Sequence, residues 1–66
     1  MPQLTDKQRD VISALAFSSM CVATAAKMLG CHRNNVNWHV EQIKKKTGKD
    51  PLDFFDLVDL YNAMEE

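Results

Sequence analysis

Residues 22–48 read VATAAKMLGCHRNNVNWHVEQIKKKTG, and this stretch has the pattern of two helices joined by a short turn. Its first part, about residues 21–29, has apolar side chains at the i, i+3, i+4, i+7 spacing of one helix face. They are Val22, Ala25, Ala26 and Leu29. The paired alanines allow a second helix to approach closely, and Gly30 suits the left-handed position that ends a helix.

The second part of the stretch predicts a longer helix that starts one or two residues after Gly30 and runs to about Thr47. Its buried stripe is formed by Val36, Val40, Ile43 and Thr47. Gly48 ends the helix, and the three lysines before it suit the negative end of the helix dipole. A short helix with small residues, a glycine turn and a longer helix together predict a helix-turn-helix over about residues 21–47.

The flanking sequence adds one helix on each side. Thr5 and Gln8 match a capping box, and an apolar face follows before the Ser18-Ser19 pair ends the first helix. The members of that face are Val11, Ile12, Leu15 and Ala16. Asp50-Pro51 predicts the start of a fourth helix over about residues 51–64, with Asp50 as its cap and Pro51 in its first turn. We therefore predict one all-α domain over residues 1–66, a four-helix fold that contains a helix-turn-helix.

The last helix has more apolar residues than one face can bury. Its main stripe is formed by Phe54, Leu57, Val58 and Tyr61, whereas Leu52, Phe55 and Leu60 lie off that stripe. Either a three-sided packing within the chain or a second chain would cover the surplus. For a homodimer, the candidate contacts are Phe55, Leu60 and Met64.

Length and composition exclude several classes of protein. The chain has 66 residues, of which 45% are hydrophobic and 26% charged, as expected for a small globular domain. The longest uncharged run, residues 11–26, is too short to span a bilayer, and the N-terminus has no export-signal pattern. Two cysteines do not make a disulfide framework. We expect a cytoplasmic protein with no membrane segment, catalytic set, cofactor or small-molecule ligand, and hence not an enzyme.

The net charge of −1 conceals a strong polarity along the chain. Residues 27–49 contain six basic residues and one acid, a net charge of +5, whereas residues 50–66 contain six acids and no base. Such runs are commonly solvated helix faces, but a basic centre also favours one side that meets a polyanion.

The chemistry of the third helix favours double-stranded DNA as that polyanion. With its apolar stripe inward, the residues that point outward are Arg33, Asn34, Asn37, Trp38, Glu41 and Lys45. Arginine and asparagine can bond bidentately to guanine and adenine edges in a major groove. We predict base contacts from Arg33, Asn34, Asn35, Asn37 and Trp38, and phosphate contacts from Lys27, His32, Lys44 and Lys45. A homodimer would bind inverted half-sites about 34 Å apart or a multiple of that distance.

These residues also carry a family resemblance. His32-Arg33-Asn34, followed by Val36, Trp38, Val40, Ile43 and Thr47-Gly48, resembles the recognition helix H-R-N-T-V-x-Y-R-L-x-x-I and the later T-G of bacterial PucR-type and CdaR-type transcriptional regulators. Their upstream T-A-x-x-L is matched by Thr24, Ala25 or Ala26, and Leu29. The resemblance covers about residues 20–64 and implies DNA binding in transcriptional regulation. Leu4-Thr5, Val11 in the first helix, and Gly30 followed by Val36 and His39 carry a weaker resemblance to LuxR-type modules.

The chain departs from that family pattern at four positions. The family threonine is Asn35, the tyrosine is Trp38, the usual arginine is His39, and a position that is often basic is Asn37. These replacements remove positive charge where relatives would hold phosphate, which lowers the expected electrostatic share of affinity. The alternative function is therefore a small helical protein adaptor or anti-regulator that keeps the fold without binding DNA.

Several side chains have a structural interpretation beside the functional one. Trp38 would either face DNA or pack against the first helix, Asn34 would either read a base or cap the third helix, and His39 is expected to be structural. Cys21, Cys31, His32 and His39 do not have a common zinc-site spacing, so no metal is predicted. The aspartates at positions 50, 53, 56 and 59 are interpreted as a solvated acidic stripe that faces away from DNA.

Overall fold

The computed structural model describes residues 4–65, which form four helices. The helices are α1 (Asp6–Phe17), α2 (Val22–Leu29), α3 (Arg33–Thr47) and α4 (Phe54–Glu65). Residues 4–65 contain no strand. The prediction of a small all-α domain with four helices is confirmed.

The start of α1 is the predicted capping box. The Thr5 hydroxyl accepts a hydrogen bond from the Gln8 backbone N–H at 3.1 Å, and the Gln8 side-chain oxygen accepts from the Thr5 N–H at 3.0 Å. The helix ends at Phe17, and Ser19 and Met20 then adopt φ values of 57° and 66°. Two successive left-handed residues turn the chain tightly into α2, and the Met20 side chain packs against the core.

A three-residue connection joins α2 to α3. Gly30 has φ 69°, the left-handed conformation predicted for it, and its N–H bonds back to the last turn of α2. α3 begins at Arg33, slightly later than predicted, because His32 is its N-cap. Gly48, with φ 74°, ends α3 as predicted.

The predicted start of α4 at Asp50-Pro51 is wrong. The Asp50 carboxylate accepts from the Leu52 N–H at 2.9 Å, which closes a turn instead of a helix. Asp53 then caps the helix, since its carboxylate accepts from the Asp56 N–H at 3.2 Å and its carbonyl accepts the first helical bond. Pro51 is buried in the turn, and α4 begins at Phe54.

α1 is the central helix. It packs against α2, α3 and α4, and α2 also packs against α3. The core contains Leu4, Val11, Ile12, Ala14, Leu15, Ala25, Ala26, Val36, Val40, Ile43, Leu57 and Leu60. The buried side of α4 therefore follows Leu57 and Leu60, whereas Phe54 and Val58 of the predicted stripe are exposed.

Leu60 is the clearest correction to the sequence prediction. The sequence pattern predicts that Leu60 lies off the buried stripe and contacts a second copy, whereas its side chain is fully buried in the core. The later start of α4 does not change the helical phase, so the reason is tertiary. α1 covers the Leu57–Leu60 side of α4 and leaves the Phe54–Val58 side open.

Candidate nucleic-acid interface

The core fixes which side of α3 faces outward. Val36, Val40 and Ile43 are buried as predicted. At about 100° per residue, the side of the helix directly opposite them carries Asn34, Trp38, Glu41 and Lys45. All four side chains are exposed. This outermost line runs along α3 from its first turn to its last.

The first turn of α3 is organised by His32. Its ring Nδ1 accepts a hydrogen bond from the Asn34 backbone N–H at 3.1 Å. Because Nδ1 is the acceptor, the proton of the neutral ring is on Nε2, and the exposed ring can donate outward. The interpretation of Asn34 as the cap of α3 is therefore wrong. Within residues 4–65 the Asn34 side chain makes no hydrogen bond and remains available.

The predicted base-contacting residues do not all share one face. Arg33 and Asn37 lie on one flank of the outermost line. Asn35 lies on the other flank, where it lines a pocket of about 300 Å³ between α1 and α3. The other lining residues are Lys7, Asp10, Val11, Leu29, Cys31 and His39. The structure thus separates Asn35 from Arg33 and Asn37, and it adds the exposed Lys7 beside the start of α3.

Trp38 lies at the centre of the exposed side of α3. Its side chain is 59% exposed, so it does not adopt the alternative of packing against α1. Its only aromatic neighbour among the described residues is His39, whose ring meets it edge-on at a centroid distance of 5.0 Å. His39 is half-buried at the border of the core, the position expected for a structural histidine.

The lysines differ in whether a carboxylate lies near the ammonium group. Lys44 is 4.0 Å from both the Glu41 and the Asp50 carboxylates, and Lys49 is 3.2 Å from the Asp59 carboxylate. Lys27, in the last turn of α2, and Lys45, on the outermost line of α3, make no ion pair within the described residues. Lys44, which is predicted to contact phosphate together with Lys27 and Lys45, thus differs from them in lying close to two carboxylates.

The four aspartates hold the connection between α3 and α4. Asp50 and Asp53 accept backbone hydrogen bonds in the turns, and the Asp56 carboxylate accepts from the Asp50 N–H at 3.0 Å. Asp59 pairs with Lys49. The acidic segment therefore lies against the C-terminal end of the basic segment, whereas the first turns of α3 contain no acid.

The metal-ligating and nucleophilic side chains of the described residues are not gathered into one site. Within residues 4–65, no three His, Cys, Asp or Glu side chains are grouped so that they could hold a metal ion. Cys21 is exposed at the start of α2, and a hydrogen bond donated by the Thr24 hydroxyl to its sulfur at 3.3 Å lowers the pKa of the thiol. Cys31 is half-buried in the connection to α3.

Comparisons with known proteins give no match to a family model, to a curated protein or to a solved structure. The resemblance to PucR-type and CdaR-type regulators thus depends on the motif residues themselves. None of the helices in the described range is both long and apolar enough to cross a membrane.

Proposed function

We propose that this chain binds double-stranded DNA sequence-specifically, with α3 in the major groove and α2 braced against the backbone, and that it regulates transcription as a homodimer. The observation that carries the proposal is the exposed first half of α3. There Arg33, Asn34, Asn37 and Trp38 lie on adjoining faces without an acid among them. A surface helix without a partner normally carries mixed charges, whereas this half carries the side chains that read base edges.

In this proposal, the side chains have different roles that follow from their positions around α3. Asn34 and Trp38, on the outermost line, reach deepest into the groove, where asparagine bonds adenine and the indole packs against a thymine methyl group or deoxyribose. Arg33 and Asn37 reach the base pairs on one flank. Asn35 lies on the flank that faces α1, in the pocket that Lys7 and Asp10 also line. Because the Asp10 carboxylate offsets the charge of Lys7 there, Asn35 is assigned to neither a base nor a phosphate contact.

Phosphate contacts come from a small set of donors. They are the Nε2–H of His32 at the start of α3 and the ammonium groups of Lys27, in the last turn of α2, and Lys45, in the last turn of α3. Neutralising two to four phosphates per copy means about four to eight per homodimer, which gives a slope of about −4 to −7 for log K against log salt concentration.

The test is selection from a random-sequence DNA duplex library at low salt, followed by fluorescence anisotropy on the enriched duplex. Arg33→Ala is expected to weaken binding by about tenfold to a hundredfold and to relax the preference at one base pair. Arg9→Ala is the matched control. Arg9 is also exposed, but it lies on a different side of α1 from Lys7, Asp10 and Val11, which face the pocket shared with α3.

Two results would overturn the proposal. One is the absence of any enriched sequence at low salt, and the other is an equal loss of affinity in the two arginine variants. If the chain instead binds another protein, and the affinity of that complex does not change with salt concentration, the helical adaptor is favoured.

A further inference from the structure

An aromatic surface extends over α1 and α4, and the groove at its centre is lined by no residue of α3. It is centred on a groove of about 160 Å³, lined by Ala16, Phe54, Leu57, Val58, Tyr61 and Asn62. Phe17 meets Tyr61 edge-on at 6.5 Å at one end, and Phe55 meets Phe54 edge-on at 5.5 Å at the other. We call this continuous surface, from Phe17 to Phe55, the α1–α4 face.

The exposed area of this face is large for so small a domain. Phe17, Phe54 and Phe55 are 73%, 57% and 75% exposed. With about 200 Å² for a fully exposed aromatic side chain, they present roughly 400 Å² of apolar surface. Interfaces are about 60% apolar, so an interface built on this area would bury roughly 650 Å² per copy. The area buried on the two copies together therefore exceeds the roughly 1,000 Å² that a specific interface needs.

The charges favour a second copy over a charged partner. The second half of α1, residues 11–17, contains no charged residue, and Asp56 lies on the other flank of α4. Asp59, one turn after Phe55, is 3.2 Å from the Lys49 ammonium. When the face meets itself across a two-fold axis, it therefore brings no unpaired like charges together. A strongly acidic or basic partner would find little counter-charge on it.

The shape also suits an isologous contact. An interface between identical copies requires that each copy present both a projection and the recess that receives it. The Phe55 ring is the most exposed aromatic side chain of the described residues, and it adjoins the Ala16–Val58 groove through Phe54. We propose that a second copy of this chain covers the α1–α4 face, with Phe55 of each copy inserted at the groove of the other.

Sedimentation velocity without DNA, over a concentration series to about 200 μM, tests this dimer. The wild-type chain is expected to dimerise within that range. The proposed dimer buries two Phe55 rings, one from each copy. Phe55→Ser removes both rings, so it should raise the dimer Kd by about a hundredfold or more. Val58→Asp places a charge in both grooves and should also give a monomer. Met28→Ser is the matched control, because Met28 is 53% exposed on α2 and lies outside the face.

Circular dichroism of each variant shows that a loss of dimer is not a loss of fold. A wild-type chain that remains monomeric at the highest concentration would overturn the proposal. So would Phe55→Ser and Met28→Ser variants that dissociate equally.

The role of this dimer on DNA rests on the proposed function, but dimerisation itself is measured without DNA. On a duplex with one selected half-site, Phe55→Ser should bind like the wild type. On an inverted repeat, it should lose the gain from the second site. A dimer that binds no DNA would refute the function of α3 and leave the α1–α4 face intact.

Discussion

Truncation of Leu60 tests whether its side chain packs in the core of a single chain. The side chain is fully buried among core residues, so Leu60→Ala removes apolar contacts and leaves a cavity. If Leu60 instead lay at a subunit contact, the loss of stability would depend on protein concentration. In the core position it is the same at every concentration.

The expected size of the effect follows from burial. Leucine-to-alanine changes at fully buried sites cost about 2–5 kcal/mol. A domain of 66 residues has a free energy of unfolding of roughly 3–10 kcal/mol, so this single change removes a large part of it. Leu60→Met keeps the volume and should cost less than about 1.5 kcal/mol. It remains measurable if the alanine variant is largely unfolded.

The assay is urea unfolding followed by circular dichroism, for both variants and the wild type, at two protein concentrations about fiftyfold apart. Phe55→Ala is the surface control and should change the monomer's free energy of unfolding by at most about 0.5 kcal/mol. A loss below about 1 kcal/mol for Leu60→Ala would refute the packing described for α4. An effect of Leu60→Ala that appears only at the higher concentration would return Leu60 to a subunit contact.

Three further predictions concern the segments around α2 and α3. Gly30→Ala should lower the free energy of unfolding by about 1–2 kcal/mol, because Gly30 has φ 69°. The added Cβ meets nothing within 4 Å, so this cost is conformational and not steric. Gly30→Asn should lose less, and equal losses in urea unfolding would contradict a purely conformational cost. In a Cys31→Ser background, Thr24→Val should move the pH midpoint of Cys21 alkylation upward, because the hydroxyl that lowers the thiol pKa is gone. An unchanged midpoint would remove Thr24 as the cause. Iodide should quench the exposed Trp38 in the free protein and quench it less on the selected duplex, and equal quenching would place Trp38 outside the contact.

The helices that the sequence predicts well are those whose ends are fixed by local chemistry. The Thr5–Gln8 capping box and the left-handed glycines at 30 and 48 act within a few residues, so their effect is legible without knowledge of the fold. The buried stripe of α3 was equally clear, because Val36, Val40 and Ile43 leave one choice of inward face.

The sequence predictions are wrong where two residues compete for the same capping role, or where packing between helices decides which side chain is buried. Asp50 and Asp53 are both competent caps, and the sequence does not tell which one starts α4. His32 and Asn34 compete in the same way at the start of α3, and the histidine ring takes the role. Leu60 and Val58 are both apolar, and only the position of α1 determines that Leu60 is buried while Val58 stays exposed.

The candidate site shows why net charge is a poor guide to partners in a chain this small. The acids of residues 50–59 are placed by their own turns and ion pairs at the C-terminal end of α3, where they offset Lys44 and Lys49. His32, Arg33 and Asn34 lie at the other end of a 15-residue helix, roughly 20 Å away at 1.5 Å per residue. That separation is about two Debye lengths at physiological salt, so the acids contribute little to the potential at the first turns. The proposed reading surface therefore has its own local charge, and the near-neutral total does not argue against a polyanionic partner.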